Sequence, residues 1–113
     1  MKNDDIKELQ EYIIEHGIDE FEFKSFNGED LLLIGSPNIT YYHKVEINFM
    51  SVDFINCPIR YWSSKPIRLA NLEERKFYEQ KTQIEDEDLM FILENDFKDI
   101  FFVICEKFEY TFI

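Results

Sequence analysis

The side chains of this sequence best suited to acid–base and nucleophilic chemistry are two histidines, His16 and His43, and two cysteines, Cys57 and Cys105. An imidazole titrates near neutral pH and a thiolate is a strong nucleophile, so a Cys105/His43 pair would form a nucleophilic centre. Cys105 follows the apolar run Phe101-Phe102-Val103-Ile104, however, and such surroundings predict a buried, inert thiol. His43 stands in Tyr41-Tyr42-His43-Lys44 ahead of an extended stretch, where a surface or hydrogen-bonded histidine is expected. His16 falls in the last turn of a helical pattern, where a cation suits the helix dipole. Two cysteines are too few for a disulfide framework or a four-ligand zinc site and leave at most one bridge open; two reduced thiols are the expectation.

The 24 carboxylates include enough candidates for a facing glycosidase pair, but that abundance makes no particular pair informative. Asp86-Glu87-Asp88 invites a calcium reading, yet it lacks the glycine of a calcium loop and runs directly into Leu89, Met90 and Phe91. A solvated acidic turn is expected there. No phosphate-binding glycine loop, nucleophile elbow or paired-histidine metal motif occurs, and three glycines give the backbone little means of cradling phosphate. No catalytic residue, metal ligand or cofactor is therefore assigned.

The elements that would position any surface chemistry are legible as patterns. Asp5 is an N-cap candidate with Glu8 three residues on; Ile6, Leu9 and Ile13 follow at helical spacing, and Gly17 suits a left-handed C-cap, giving an amphipathic helix over 5–16. Phe21 and Phe23 alternate with charged residues, and Asn27-Gly28 precedes Leu31 to Ile34, which reads as a β-hairpin. Another extended stretch runs from Tyr42 to Ile55. Val45, Ile47 and Phe49 share one parity there and Met50, Val52 and Phe54 the other, so a bulge or break near Phe49 to Ser51 would keep both sets on the core. Pro66 to Ala70 suggests an edge strand, and Asn71 with Glu74 a capping box opening a second short helix over 72–81. Leu89 to Leu93 and Ile100 to Ile113 form a closing hairpin, with Phe102, Ile104, Phe108, Tyr110 and Phe112 of one parity. The expected fold is α+β: one domain over 1–113, mainly an antiparallel sheet of about five to seven strands, with an N-terminal helix and a second short helix.

At 45% hydrophobic and 17% aromatic, the 113 residues can bury a core, since a chain of this size removes roughly two-thirds of its unfolded surface from water. The opening MKNDDIKELQ lacks the pattern of a targeting peptide, and the longest apolar runs fall short of the roughly 20 residues a membrane helix needs, so a cytoplasmic location without a membrane partner is expected. A net charge of −12 repels nucleic acid and anionic lipid and attracts a basic protein. The charge is uneven. Residues 57–81 carry six cations, including Arg60, Arg68 and Arg75, against three carboxylates, so this segment is +3 and the remainder −15. The same segment holds the single tryptophan, Trp62, and Arg and Trp are enriched at interface hot spots.

In arrangement the chain resembles the small acidic immunity proteins of bacterial polymorphic toxin systems. The pieces that carry the resemblance are the N-terminal helix, Leu31-Leu32-Leu33-Ile34-Gly35-Ser36, His43-Lys44-Val45-Glu46-Ile47, Arg68-Leu69-Ala70-Asn71-Leu72-Glu73-Glu74, and the closing strand Phe101 to Phe108. The resemblance implies a non-enzymatic protein that binds and occludes one cognate toxin, with no residue roles carried over. From the charge pattern, the acidic face expected to meet a basic partner comprises Glu8, Glu11 and Glu15 on the helix with Glu85, Asp86, Glu87 and Asp88 on the turn. Two alternatives stand beside it: a small hydrolase or ligand-binding domain with an aromatic-lined pocket between sheet and helix, and a homodimer joined through Arg60, Trp62, Arg68 and Arg75.

Overall fold

The structure, a computed structural model, describes residues 3–80 and 82–113. Helix α1 (Asn3–Glu15) turns Ile6, Leu9 and Ile13 inward, each at most 5% exposed. Its end is fixed by Gly17 at φ +62°: the Gly17 and Ile18 amides donate back to the Ile14 and Ile13 carbonyls (3.2 and 3.0 Å), and Ile18 packs inward beside Ile13. That is a Schellman closure, which a residue with a β-carbon adopts only under strain. The helix begins before Asp5, and the capping expected of that side chain lies outside the described residues.

Seven strands follow: β1 (Glu20–Phe26), β2 (Leu31–Ser36), β3 (Val45–Asn56), β4 (Arg60–Trp62), β5 (Arg68–Leu69), β6 (Leu89–Glu94) and β7 (Ile100–Phe112). Helix α2 (Leu72–Glu79) stands between β5 and β6. The strands form one antiparallel sheet in the order β4-β1-β2-β3-β7-β6-β5. The β1–β2 turn is organised by the Asn27 side chain, which accepts from the Glu29 and Asp30 amides (2.9 and 2.8 Å) while Gly28 takes φ +98°. The expected capping box is present in both directions: Asn71 accepts from the Glu74 amide (2.8 Å) and Glu74 from the Asn71 amide (2.9 Å). α2 ends at Glu79 rather than at 81, and Lys81 lies outside the described residues.

β3 and β7 are the long central pair, and both change sides along their length. Val45, Ile47 and Phe49 pair with Phe112, Tyr110 and Phe108 on the inner face. Ser51 then adopts φ +55°, which returns Val52 and its partner Cys105 to that same face three residues later. A register shift between Val52 and Phe54 next sends Phe54 to the outer face, where its ring stacks on Phe102 at 5.4 Å. The irregularity expected near Phe49 to Ser51 is therefore present, but Phe54 is not brought to the inner core. The expectation that Phe102 and Ile104 share a face with Phe108 is corrected too: they belong to the outer cluster, because β7 reverses sides between Cys105 and Phe108.

The inner face curves around α1, whose Leu9 and Ile13 fill the space against Phe49, Phe91 and Val103. Tyr12 stacks on Phe112 at 3.8 Å, Tyr110 donates to Glu8 (2.6 Å), and Gln10 donates to the Ile67 carbonyl (3.0 Å). On the outer face a smaller cluster of Ile84, Met90, Ile92, Phe102 and Ile104 is covered by Tyr78 of α2. The sheet curls until β4 meets the end of β6. Ser63 donates its hydroxyl to the Glu94 carbonyl, Ser64 bonds Asp96 through its amide and hydroxyl (2.7 and 2.8 Å), and Lys65 pairs with Glu94 (2.8 Å). No described helix is long and apolar enough to cross a membrane.

Gly35 shows how tightly β2 meets the end of α1. A β-carbon there would lie 2.9 Å from both Ile18 and the Phe21 ring, atoms that are nearly fully buried. Gly35→Ala is expected to lose about 1–3 kcal/mol through overpacking, read as a lower denaturation midpoint with unchanged slope. An unaltered midpoint would mean that Ile18 and Phe21 move aside freely.

Candidate functional site

The carboxylates expected to form one acidic face are distributed over two elements. Glu8, Glu11 and Glu15 are exposed on α1, and Glu8 accepts the Tyr110 hydroxyl. Glu85, Asp86 and Glu87 are exposed on the turn before β6, but Asp88 is 5% exposed. This corrects the expectation of a fully solvated turn: Asp88 accepts the Glu85 amide (2.9 Å), and the Arg75 guanidinium donates to the Asp88 and Glu85 carbonyls (both 2.9 Å). Arg75 clamps backbone oxygens and holds three carboxylates outward.

The arginines are divided likewise. Arg68 makes a two-pronged bond to Glu74 (2.7 and 2.8 Å), which lowers the Glu74 carboxyl below its ordinary range, chiefly through that hydrogen bond. Parallel bonds of this kind are the strong form of an arginine–carboxylate contact. Arg60 is exposed and reaches Glu22 only at 3.5 Å. Arg60 and Trp62 lie on β4, whereas Arg68 lies on β5 at the opposite end of the strand order and Arg75 on α2. Trp62 remains on the surface, 62% exposed.

A depression that no sequence pattern singled out lies on the outer face of β2, β3 and β7, about 320 Å³ in volume. Its walls are polar: Asp30, Glu46, Asn48, Glu109 and Thr111 surround Leu32. Strand register creates it, since Leu32, Asn48 and Glu109 are successive cross-strand neighbours, as are Glu46 and Thr111. Glu46 pairs with His43 (2.9 Å) and Asp30 accepts the Ser51 amide (3.2 Å). Among the described residues no ion pair reaches Asp30 or Glu109. The alternation of Lys107, Glu109 and Thr111 was the available signal, but only the pairing of β7 with β3 reveals the row.

Cys105 is fully buried and Cys57 half-buried, and both are free. Burial pushes each thiol up to about 12; the Asp88 and Asp53 charges add to the effect at Cys105. His16 stacks on Tyr12 at 4.0 Å and contacts its carbonyl, as suits a helix terminus. Among the described residues no group of three or more histidine, cysteine or carboxylate side chains is placed to hold a metal ion. Leu9, Ile13, Phe49 and Phe91 pack the interior between sheet and helix, and a cleft of about 430 Å³ between α1 and the β5–β6 edge, lined by Gln10, Ile14, Arg68, Ile92 and Glu94 among others, has no aromatic side chain in its lining. An apolar cleft of about 390 Å³ lies instead at the end of the β1–β2 hairpin, lined by Phe23, Phe26, Leu31, Ile55 and Ile59.

No family model, curated protein or solved structure matches this chain.

Because the thiolate is the reactive form, both cysteines are expected to alkylate at pH 8 at least about a hundredfold more slowly than a free thiol. Both should react at the free-thiol rate in denaturant. Fast labelling of Cys105 in the native protein, read by mass spectrometry, would contradict its placement in the core.

Proposed function

We propose that this protein is a non-enzymatic binding module that covers a basic surface of a protein partner, in the manner of an immunity protein that neutralises a cognate bacterial toxin. The observation that carries the reading is the excess of carboxylates over cations, 24 against 12, much of it on exposed positions. Glu11, Glu15, Glu85, Asp86, Glu87 and Glu109 are among the carboxylates that enter no described ion pair.

Such a field attracts a cationic partner from beyond contact range and raises the rate of encounter. At close range, the depression between Asp30, Glu46 and Glu109 suits a projecting lysine or arginine, because Asn48 and Thr111 add hydrogen-bonding groups beside the carboxylates. The exposed acids of α1 and of the 85–87 turn contribute to attraction from their own positions. Inhibition on this reading is occlusion: the bound module covers the toxin's substrate-binding surface and takes part in no chemistry. The arrangement-level resemblance to small acidic immunity proteins supports the same reading.

Affinity purification of the tagged protein from its native host at low salt should recover a basic protein, with association slowing as salt rises. Glu46→Lys combined with Glu109→Lys should weaken that complex about tenfold or more, close to 1.4 kcal/mol. Failure to recover any partner, or a complex indifferent to both salt and charge reversal, would remove the basis of the proposal.

A further inference from the structure

A second groove, of about 690 Å³, lies on the outer face of β1 and shares no lining residue with the acidic depression on β2, β3 and β7. Strand order builds it, because β1 lies between β4 and β2. Glu20, Glu22 and Lys24 of β1 form the floor, the loop residues Asn38, Ile39 and Thr40 after β2 form one wall, and Arg60 and Trp62 of β4 form the other. Register sets Trp62 opposite Glu20 and Arg60 opposite Glu22. Both walls are fixed. Glu20 accepts the Ile39 amide (3.0 Å), and the Tyr41 and Tyr42 amides close the loop on the Asn38 carbonyl (3.2 and 3.3 Å). On β4, Tyr61 stacks on Phe21 at 5.0 Å, while Ser63 donates its amide to the Asp19 carbonyl and its hydroxyl to the Glu94 carbonyl.

The charge of this groove sets it apart from the rest of the surface. Two carboxylates stand with two cations, so the lining is formally neutral in a chain of net charge −12. Arg60 already lies 3.5 Å from Glu22, and Glu20 commits one oxygen to the Ile39 amide. An ionic ligand of either sign would meet a like charge within the same groove. A neutral ligand rich in hydroxyls meets no such opposition, since a hydroxyl donates to a carboxylate and accepts from an ammonium or a guanidinium. Trp62 adds a flat, exposed apolar face beside these polar groups.

We infer that this groove is a saccharide site, in which a neutral sugar ring lays its C–H face on the Trp62 indole and turns its hydroxyls to Glu20, Glu22, Lys24 and Arg60. A pyranose ring has this division of character, with C–H groups gathered on a face and hydroxyls around the rim. Donors and acceptors alternate along the floor and the β4 wall, as adjacent hydroxyls require, and the exposed Asn38 and Thr40 supply an amide and a hydroxyl from the loop side. The volume falls within the roughly 300–1,000 Å³ of small-ligand clefts. Because the two depressions share no residue, the saccharide site stands or falls independently of a basic protein partner.

Trp62 is the only tryptophan, so its emission reads this groove directly. Maltotriose, cellotriose, chitotriose and mannotriose, titrated one at a time, are the neutral probes. At least one should change the emission saturably, with a Kd of about 1 mM or tighter and the same affinity at low and high salt. Glu22→Gln, which keeps the shape and removes the charge, should weaken that binding about tenfold. Trp62→Ala, followed by amide chemical shifts, should abolish it, whereas Glu109→Lys outside the groove should bind as the parent does. Circular dichroism should show all three variants folded. No saturation by any of the four sugars well above that concentration, or binding that survives Trp62→Ala or is indifferent to Glu22→Gln, would overturn the inference.

Discussion

The pairing of β3 with β7 is the constraint on which the rest of this fold depends. These two strands are the longest, they lie at the middle of the sheet, and each contributes to both faces. Strict alternation would commit a strand to one set of inward residues throughout. Here Ser51 in the left-handed region and the shift between Val52 and Phe54 reset the alternation twice. One half of the pair therefore supplies Val45, Ile47, Phe49 and Phe108 to the cavity that holds α1, and the other half supplies Phe102 and Ile104 to the surface beneath α2. A sheet without these resets would put part of its aromatic content in water. The local backbone strain at Ser51, a residue without glycine's freedom, is accepted because two hydrophobic clusters depend on it.

From that arrangement the surface character follows. α1 occupies the inner face and α2 covers only the β5–β6–β7 end of the outer face, so the outer surface of β2 and β3 is left bare. Around Leu32 the exposed side chains of that surface, Asp30, Glu46 and Asn48 among them, are polar or acidic, as a solvated sheet face requires. The cations meanwhile stabilise the connections: Arg68 ties β5 to α2, Arg75 holds the turn before β6, and Lys65 helps close the curl at Glu94. The protein's anionic field follows from its twofold excess of carboxylates over cations.

Features determined by neighbours in sequence were legible before any coordinates. Gly17 closes α1, Asn27-Gly28 turns the first hairpin, and Asn71 with Glu74 caps α2, because each is a hydrogen-bonding arrangement within a few residues. The α+β class and the mainly antiparallel sheet were legible for the same reason, since alternation reports the strand and the apolar stripe reports the helix. What failed was parity carried through an irregularity: Phe102 and Phe108 have the same spacing pattern as residues of one face, and nothing local marks the reversal between them. Asp88 was likewise misread from its acidic neighbours, because its burial depends on Arg75 thirteen positions earlier. The Glu46 and Glu109 depression requires the register of β3 on β7, which sequence alone does not set.

Amide hydrogen exchange by NMR tests the central claim most directly, since protection reports which pairing opens last. If β3 and β7 are the frame, the amides of Ile47, Phe49, Val103 and Cys105 should exchange only with global unfolding, while α2, which buries no residue completely, opens well before them. Early exchange along β3 and β7, with α2 protected as long or longer, would contradict the account.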